Sequence, residues 1–143
     1  MRFMILVKGD ESYEGGAPGD TELFAAMAKY NEELVKAGVL LDAAGLLNTG
    51  KGALVTFSGG EPTVVDGPFA EAKEVVGGYW LLEVKSREEA IEWVKRVPFD
   101  PDIESEIEIR QVFEAEDWGE TFTEDVRERH DRMQETIAEQ HQR

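Results

Sequence analysis

The run Asp66-Gly67-Pro68-Phe69-Ala70-Glu71-Ala72-Lys73-Glu74 places an acid beside two residues that control the backbone and follows it with three closely spaced charges. Glycine reaches dihedrals closed to other residues, proline fixes the next φ, and aspartate can accept hydrogen bonds from backbone amides two residues ahead. On one reading the run is a rigid corner, with Phe69 a core plug and Glu71, Lys73 and Glu74 a solvated face. On the other, the corner holds the Asp66 carboxylate at the mouth of a cleft, where partial burial would suit it to general acid or base work. Lys73, Tyr79 and Arg110 are the candidates to line such a site. Tyr79 and Trp80 are neighbours on one strand and point to opposite faces, so one can line a pocket while the other packs in the core. Arg110 shares a strand face with Glu108; it could bind a carboxylate substrate or simply pair on the surface.

Other chemistries have less support. Cysteine is absent, which removes disulfides, thiolate catalysis and cysteine-ligated zinc together. The two histidines, His130 and His141, lie near the C-terminus and form no His-x-x-x-His pair. With no acidic triplet at ligand spacing either, no metal and no cofactor is expected. Gly50-Lys51-Gly52 and Gly59-Gly60 lack the strand-to-helix setting of a phosphate loop and read as turns. Ser12, Thr21 and Ser58 have no histidine in a nucleophile motif.

The elements that must position the charged run follow from periodicity. Phe3, Ile5 and Val7 alternate with Met4 and Leu6, a strand apolar on both faces that needs covering twice. Gly9 to Gly19 reads as a loop carrying Tyr13. Asp20 or Thr21 caps a helix whose Leu23, Met27, Tyr30 and Leu34 make one apolar stripe ending at Gly38. Val39 to Leu47 is a strand interrupted at Gly45. Ala53 to Phe57 and Pro62 to Val65 form a hairpin around Ser58-Gly59-Gly60-Glu61, delivering Asp66 at its far end. Tyr79 to Val84 is again apolar on both faces. Ser86 and Glu89 spell a capping box for a helix carrying Ala90, Ile91, Val94 and Val97, stopped by Pro98. Ile107 and Ile109, alternating with Glu106, Glu108 and Arg110, give the last strand.

That order predicts an α+β, ferredoxin-like fold with an inserted hairpin over residues 1–113. Two helices cover one face of such a sheet. Met4, Leu6 and one row of the Tyr79 strand need a second sheet, so a homodimer is expected. Residues 114–143 form a linker and an amphipathic C-terminal helix with Phe122, Val126, His130, Met133 and Ile137 on one face. That face is expected to dock on the body or on a partner subunit, with Trp118 as an anchor.

Through Asp66-Gly67-Pro68-Phe69-Ala70-Glu71-Ala72-Lys73-Glu74 followed by Gly77-Gly78-Tyr79, the chain resembles the YCII-related family in its DGPF-domain branch. The resemblance runs from Met1 to about Phe113 and implies a dimeric ferredoxin-like α/β barrel, the architecture that patterning also reaches. It further implies a His-Asp catalytic pair and, for some members, lyase-like dehydrochlorinase activity. Of that pair only Asp66 is matched, because the body of this chain has no histidine; His130 would have to swing in from the tail. DGPF-branch proteins are similar to companions of extracytoplasmic-function sigma factors, which implies a regulatory role.

Thirty-one acids against 15 bases give a formal charge of −16. Such a field opposes nucleic acid and anionic membranes, and acts chiefly as a solubility device. The N-terminal apolar run is too short for a signal-peptide core or a membrane span, so a cytoplasmic protein is expected. The sequence thus points to a dimeric small-molecule-binding protein, a lyase- or isomerase-type enzyme using Asp66. The alternative is a non-catalytic regulatory partner of a sigma factor.

Overall fold

A computed structural model describes residues 1–9, 20–69 and 75–142. The chain forms two compact units, Met1–Gln111 and Val112–Arg143. The first contains β1 (Arg2–Lys8), α1 (Thr21–Lys36), β2 (Leu40–Gly45), a 3-10 turn at Thr49–Lys51, β3 (Ala53–Thr56), β4 (Thr63–Asp66), β5 (Val76–Glu83), α2 (Arg87–Val94) and β6 (Ile107–Gln111). Four strands make one antiparallel sheet in the order β2-β5-β1-β6, while β3 and β4 pair separately as the inserted hairpin. This α+β arrangement is consistent with the ferredoxin-like expectation. The described residues of one chain form an open sheet, not a closed barrel.

Both helices start as their sequences predict. The Asp20 carboxylate accepts from the Leu23 amide at 2.7 Å, satisfying one of the orphan N–H groups of the first turn of α1. At the other end Gly38 takes φ 75°, and the Gly38 and Val39 amides donate back to Val35 and Leu34 at 3.0 and 3.1 Å. Ser86 Oγ accepts from the Glu89 amide at 3.1 Å, but the Glu89 carboxylate turns to the Lys85 amide at 3.4 Å, so the expected capping box is only half formed. Regular helix in α2 stops at Val94, short of Pro98.

The core lies between these helices and one face of the sheet. Phe3 and Ile5 of β1, Leu82 of β5 and Leu34 of α1 are fully buried, joined by Tyr30, Trp80, Val84 and Ala90. Trp80 is therefore the core member of the Tyr79-Trp80 pair. Its ring meets Tyr30 edge-on at 5.6 Å, its Nε1–H donates to Asn31 Oδ1 at 2.7 Å, and the Tyr30 hydroxyl donates to the Trp93 carbonyl at 2.7 Å. Each large aromatic thus buries its ring with its polar tip satisfied. Burial pushes the Tyr30 phenol up to about 12.

Strand register fixes what the opposite face presents. Met4 stands beside Leu81 and Arg110, Leu6 beside Tyr79 and Glu108, Asp42 beside Leu81, and Ala44 beside Tyr79. One transverse row therefore reads Asp42, Leu81, Met4, Arg110 from the β2 edge to the β6 edge, and the next reads Ala44, Tyr79, Leu6, Glu108. Met4, Leu6, Tyr79 and Leu81 are half-buried, and none belongs to the core cluster. The β2 strand is shorter than the expected 39–47 span, with its register shifting between Leu40 and Asp42.

The second unit holds a 3-10 turn at Ala115–Asp117 and α3 (Glu124–Gln140), the latter capped by the Thr123 side chain. Glu114 and Asp117 form a reciprocal capping box around the short turn. Trp118 stacks between Phe113 at 4.3 Å and Phe122 at 5.5 Å, and His130 meets Phe122 edge-on at 5.9 Å. The rest of the predicted stripe, Val126, Met133 and Ile137, is exposed, and α3 has no buried residue.

Candidate functional site

The corner at the end of the hairpin is built by close backbone packing. β3 and β4 are joined through Gly59 and Gly60, both at positive φ, and pair from Thr56 with Thr63 down to Ala53 with Asp66. Immediately beyond, the Gly67 amide donates to the Gly52 carbonyl at 2.9 Å. Thr49 Oγ1 accepts from the Phe69 amide at 3.1 Å and donates to the Phe69 carbonyl at 3.3 Å. The Gly67-Pro68 peptide is cis. Gly67 is required by space: a Cβ there would run into the Thr49 carbonyl. The Phe69 ring lies alongside Gly52 and is half-buried, a plug for this corner and not for the main core.

Two expectations for Asp66 are corrected by this geometry. Its carboxylate does not cap the following amides, because Gly52 and Thr49 already hold them. Nor is it partly buried: Asp66 is exposed, and its side chain makes no hydrogen bond or ion pair with another described residue. The corner is rigid for reasons that leave the acid free of structural duty. Lys73, with Ala70, Glu71, Ala72 and Glu74, lies outside the described residues, as does Tyr13.

Tyr79 and Arg110 lie on the sheet face away from the helices, each with an acidic partner. The Tyr79 hydroxyl donates to Asp42 Oδ2 at 2.8 Å, and this hydrogen bond holds the phenol above its ordinary range. The other Asp42 oxygen accepts from the Ala43 amide at 2.9 Å. Arg110 takes the surface pairing, with its guanidinium 3.0 Å from Glu108, and Lys8 reaches the same carboxylate at 3.0 Å. Hydrogen bonds from Arg110 first and Lys8 second keep the Glu108 carboxyl below the usual carboxylate range. Within one chain, Tyr79 and Arg110 do not meet. Strand β1 stands between β5 and β6, which separates their backbones by roughly 10 Å.

Sequence reasoning missed Thr49 and Asp42. Thr49 carried no signal beyond its place in a turn-rich segment. Asp42 did carry one: a single acid inside the apolar run from Val39 to Leu47 must find a donor or lie on a wet face, and it does both. In the second unit, a shallow cleft of about 530 Å³ is lined by Glu116, Glu120, Glu124, Phe122 and Arg127 among others, and His130 is not part of it. No three His, Cys, Asp or Glu side chains among the described residues are grouped to hold a metal ion. No helix among them is long and apolar enough to cross a membrane.

Comparison with known proteins adds a family. The model of the YCII-related domain matches residues 1–116. A protein of Rhizobium meliloti (strain 1021), itself described as uncharacterized, is 32% identical over 97 residues, covering 66% of this chain and 78% of the relative.

Proposed function

Because the chain belongs to the YCII-related domain family, we propose that it is a homodimeric, cytoplasmic small-molecule-binding protein of the DGPF branch, with Asp66 as the acid, base or orienting group of a lyase- or isomerase-type site. One observation carries this reading. The Asp66 carboxylate is presented at the end of a corner whose amides are satisfied by Thr49 and Gly52, so the fold makes no use of it among the described residues. A solvated acid fixed at the end of a two-stranded ribbon is available to a ligand that supplies the missing donor. Lys73, Tyr79 and Arg110 are the proposed lining groups, and their chemistry favours a small organic acid. Pairing of the open sheet faces of two copies forms the dimeric barrel and shelters Met4, Leu6, Tyr79 and Leu81.

The test is a thermal-shift screen of small organic acids against the wild type and Asp66→Asn. An acid that raises the wild-type melting temperature and leaves the folded Asp66→Asn protein unmoved supports the site. An equal shift in both proteins removes Asp66 from it.

A second reading has its own observation. The α3 face carrying Val126, Met133 and Ile137 is exposed on a strongly acidic chain, which suits a non-catalytic regulatory partner docking on a basic protein such as an extracytoplasmic-function sigma factor. Co-purification with the sigma factor that is lost on Met133→Glu separates it from the first.

A further inference from the structure

The open sheet face is charge-balanced in a chain that is not. Its register positions hold three bases, Arg2, Lys8 and Arg110, and three acids, Asp42, Glu83 and Glu108. The whole chain has 31 acids against 15 bases. Residues at this face are also ordered across the strands. The row Asp42, Leu81, Met4, Arg110 begins with an acid at one sheet edge, ends with a base at the other, and is apolar between.

A two-fold rotation about an axis parallel to the strands turns such a row onto itself in reverse. The β2 edge of one copy then faces the β6 edge of the other. Met4 meets Leu81 of the second copy at the centre, and Arg110 meets Asp42 at each side. In the neighbouring row Leu6 meets Tyr79. Stacked sheets lie about 10 Å apart, a gap that a long guanidinium stem and a short carboxylate can span together. A two-fold axis perpendicular to the strands would instead set the β2 edges against each other and bring the acids together, which like-charge repulsion disfavours.

We propose that the second copy supplies Arg110 to the Asp42-Tyr79 pair of the first, so that two reciprocal Asp42-Arg110 clasps fix the dimer and complete a polar site that one chain holds apart. This rests on the homodimer read above and goes beyond it by naming the axis, the paired residues and the origin of the arginine. Arg110 keeps donors free for this role, because only one of its nitrogens is engaged with Glu108, and its side chain is 70% exposed. Asp42 receives the Tyr79 hydroxyl and one amide, leaving lone pairs on the oxygen that meets Tyr79.

The experiment is a charge swap read by sedimentation equilibrium across micromolar concentrations, with circular dichroism to check folding. Asp42→Arg and Arg110→Asp alone are each expected to weaken dimerisation by about tenfold or more, since each sets like charges together at two symmetric places. The double variant is expected to return to within about threefold of wild type. A milder Arg110→Gln, which adds no repulsion, is expected to weaken the dimer without disturbing the fold. A wild-type dimer that single reversals leave intact, or that the double variant fails to restore, overturns the clasp and leaves the dimer standing. A wild-type monomer at these concentrations overturns both.

Discussion

Replacing Thr49 with Val should damage the corner beneath Asp66, and replacing Asp66 itself should not. Valine keeps the shape of threonine and removes the one atom that both accepts from the Phe69 amide at 3.1 Å and donates to the Phe69 carbonyl at 3.3 Å. A net protein hydrogen bond contributes about 1 kcal/mol, and an amide left facing a methyl group adds a desolvation cost of about 1–3 kcal/mol where it is fully buried. Both bonds are on the long side and Phe69 is half-buried, so water can recover part of the loss. The expected cost is therefore about 1–2 kcal/mol. For a chain of this size that corresponds to roughly 3–6 °C in melting temperature. Asp66→Asn keeps the side-chain shape at an exposed position with no described partner, so its effect should stay within about 0.5 kcal/mol. Urea unfolding followed by far-ultraviolet circular dichroism measures both, with an unchanged slope confirming that the same surface is exposed. The reasoning fails if Asp66→Asn destabilises as much as Thr49→Val, because the carboxylate would then be holding the corner after all.

Gly67→Ala is expected to be the more severe change at the same corner, because its Cβ would meet backbone atoms of Thr49 that cannot swing aside. Overpacking of this kind costs about 1–3 kcal/mol, and the loss should appear in the same urea midpoint. Tyr30 sets an alkaline limit on stability. Its phenol is raised by burial to about 12, whereas in the unfolded chain it ionises near 10. Its contribution is therefore fully present below about pH 10 and is lost as pH rises through about 12. Tyr30→Phe should lower stability at neutral pH by about 1 kcal/mol through loss of the Trp93 carbonyl bond, and should flatten the decline between about pH 10 and pH 12. An unchanged alkaline slope in the variant would assign that decline to other groups.

What the sequence disclosed and what it concealed have different physical origins. Helix α1 was legible because its cap, stripe and stop are local signals, and Asp20, Tyr30, Leu34 and Gly38 do in the structure what those signals say. The two-faced strands were legible because Phe3 and Ile5 cannot be sheltered together with Met4 and Leu6 on a single face. The corner was misread because its amides are satisfied from a distance, Phe69 by Thr49 twenty positions away and Gly67 by the Gly52 carbonyl, and contacts at such separations leave no periodic trace. Local reasoning therefore gave the capping work to the nearest acid, Asp66. The exposed α3 face marks a related limit: an apolar stripe states that burial is favourable, not which surface provides it. Arg110 shows the limit most plainly. Its pairing with Glu108 is local and was foreseeable, while its distance from Tyr79 depends on the strand order.

That strand order also separates two meanings of the acidic composition. The register positions of the open face carry three acids and three bases, whereas the chain as a whole carries 31 and 15, so the ladder is balanced in charge where the chain is not. At long range, two copies carry like charge and repel. At contact on the proposed axis, Asp42 would meet Arg110 and Arg2 would meet Glu83, acid against base, while Lys8 and Glu108 would meet the uncharged Val76 and Ala44. Screening at physiological ionic strength acts over about 8 Å, which weakens repulsion between the distant acids more than attraction between groups pressed together. Repulsion from the outside and matching on one face are thus compatible, and together they discriminate. On the proposed axis it is the order β2-β5-β1-β6 that would set acid against base, so the contact that offsets the long-range repulsion would also be the one that selects the pairing.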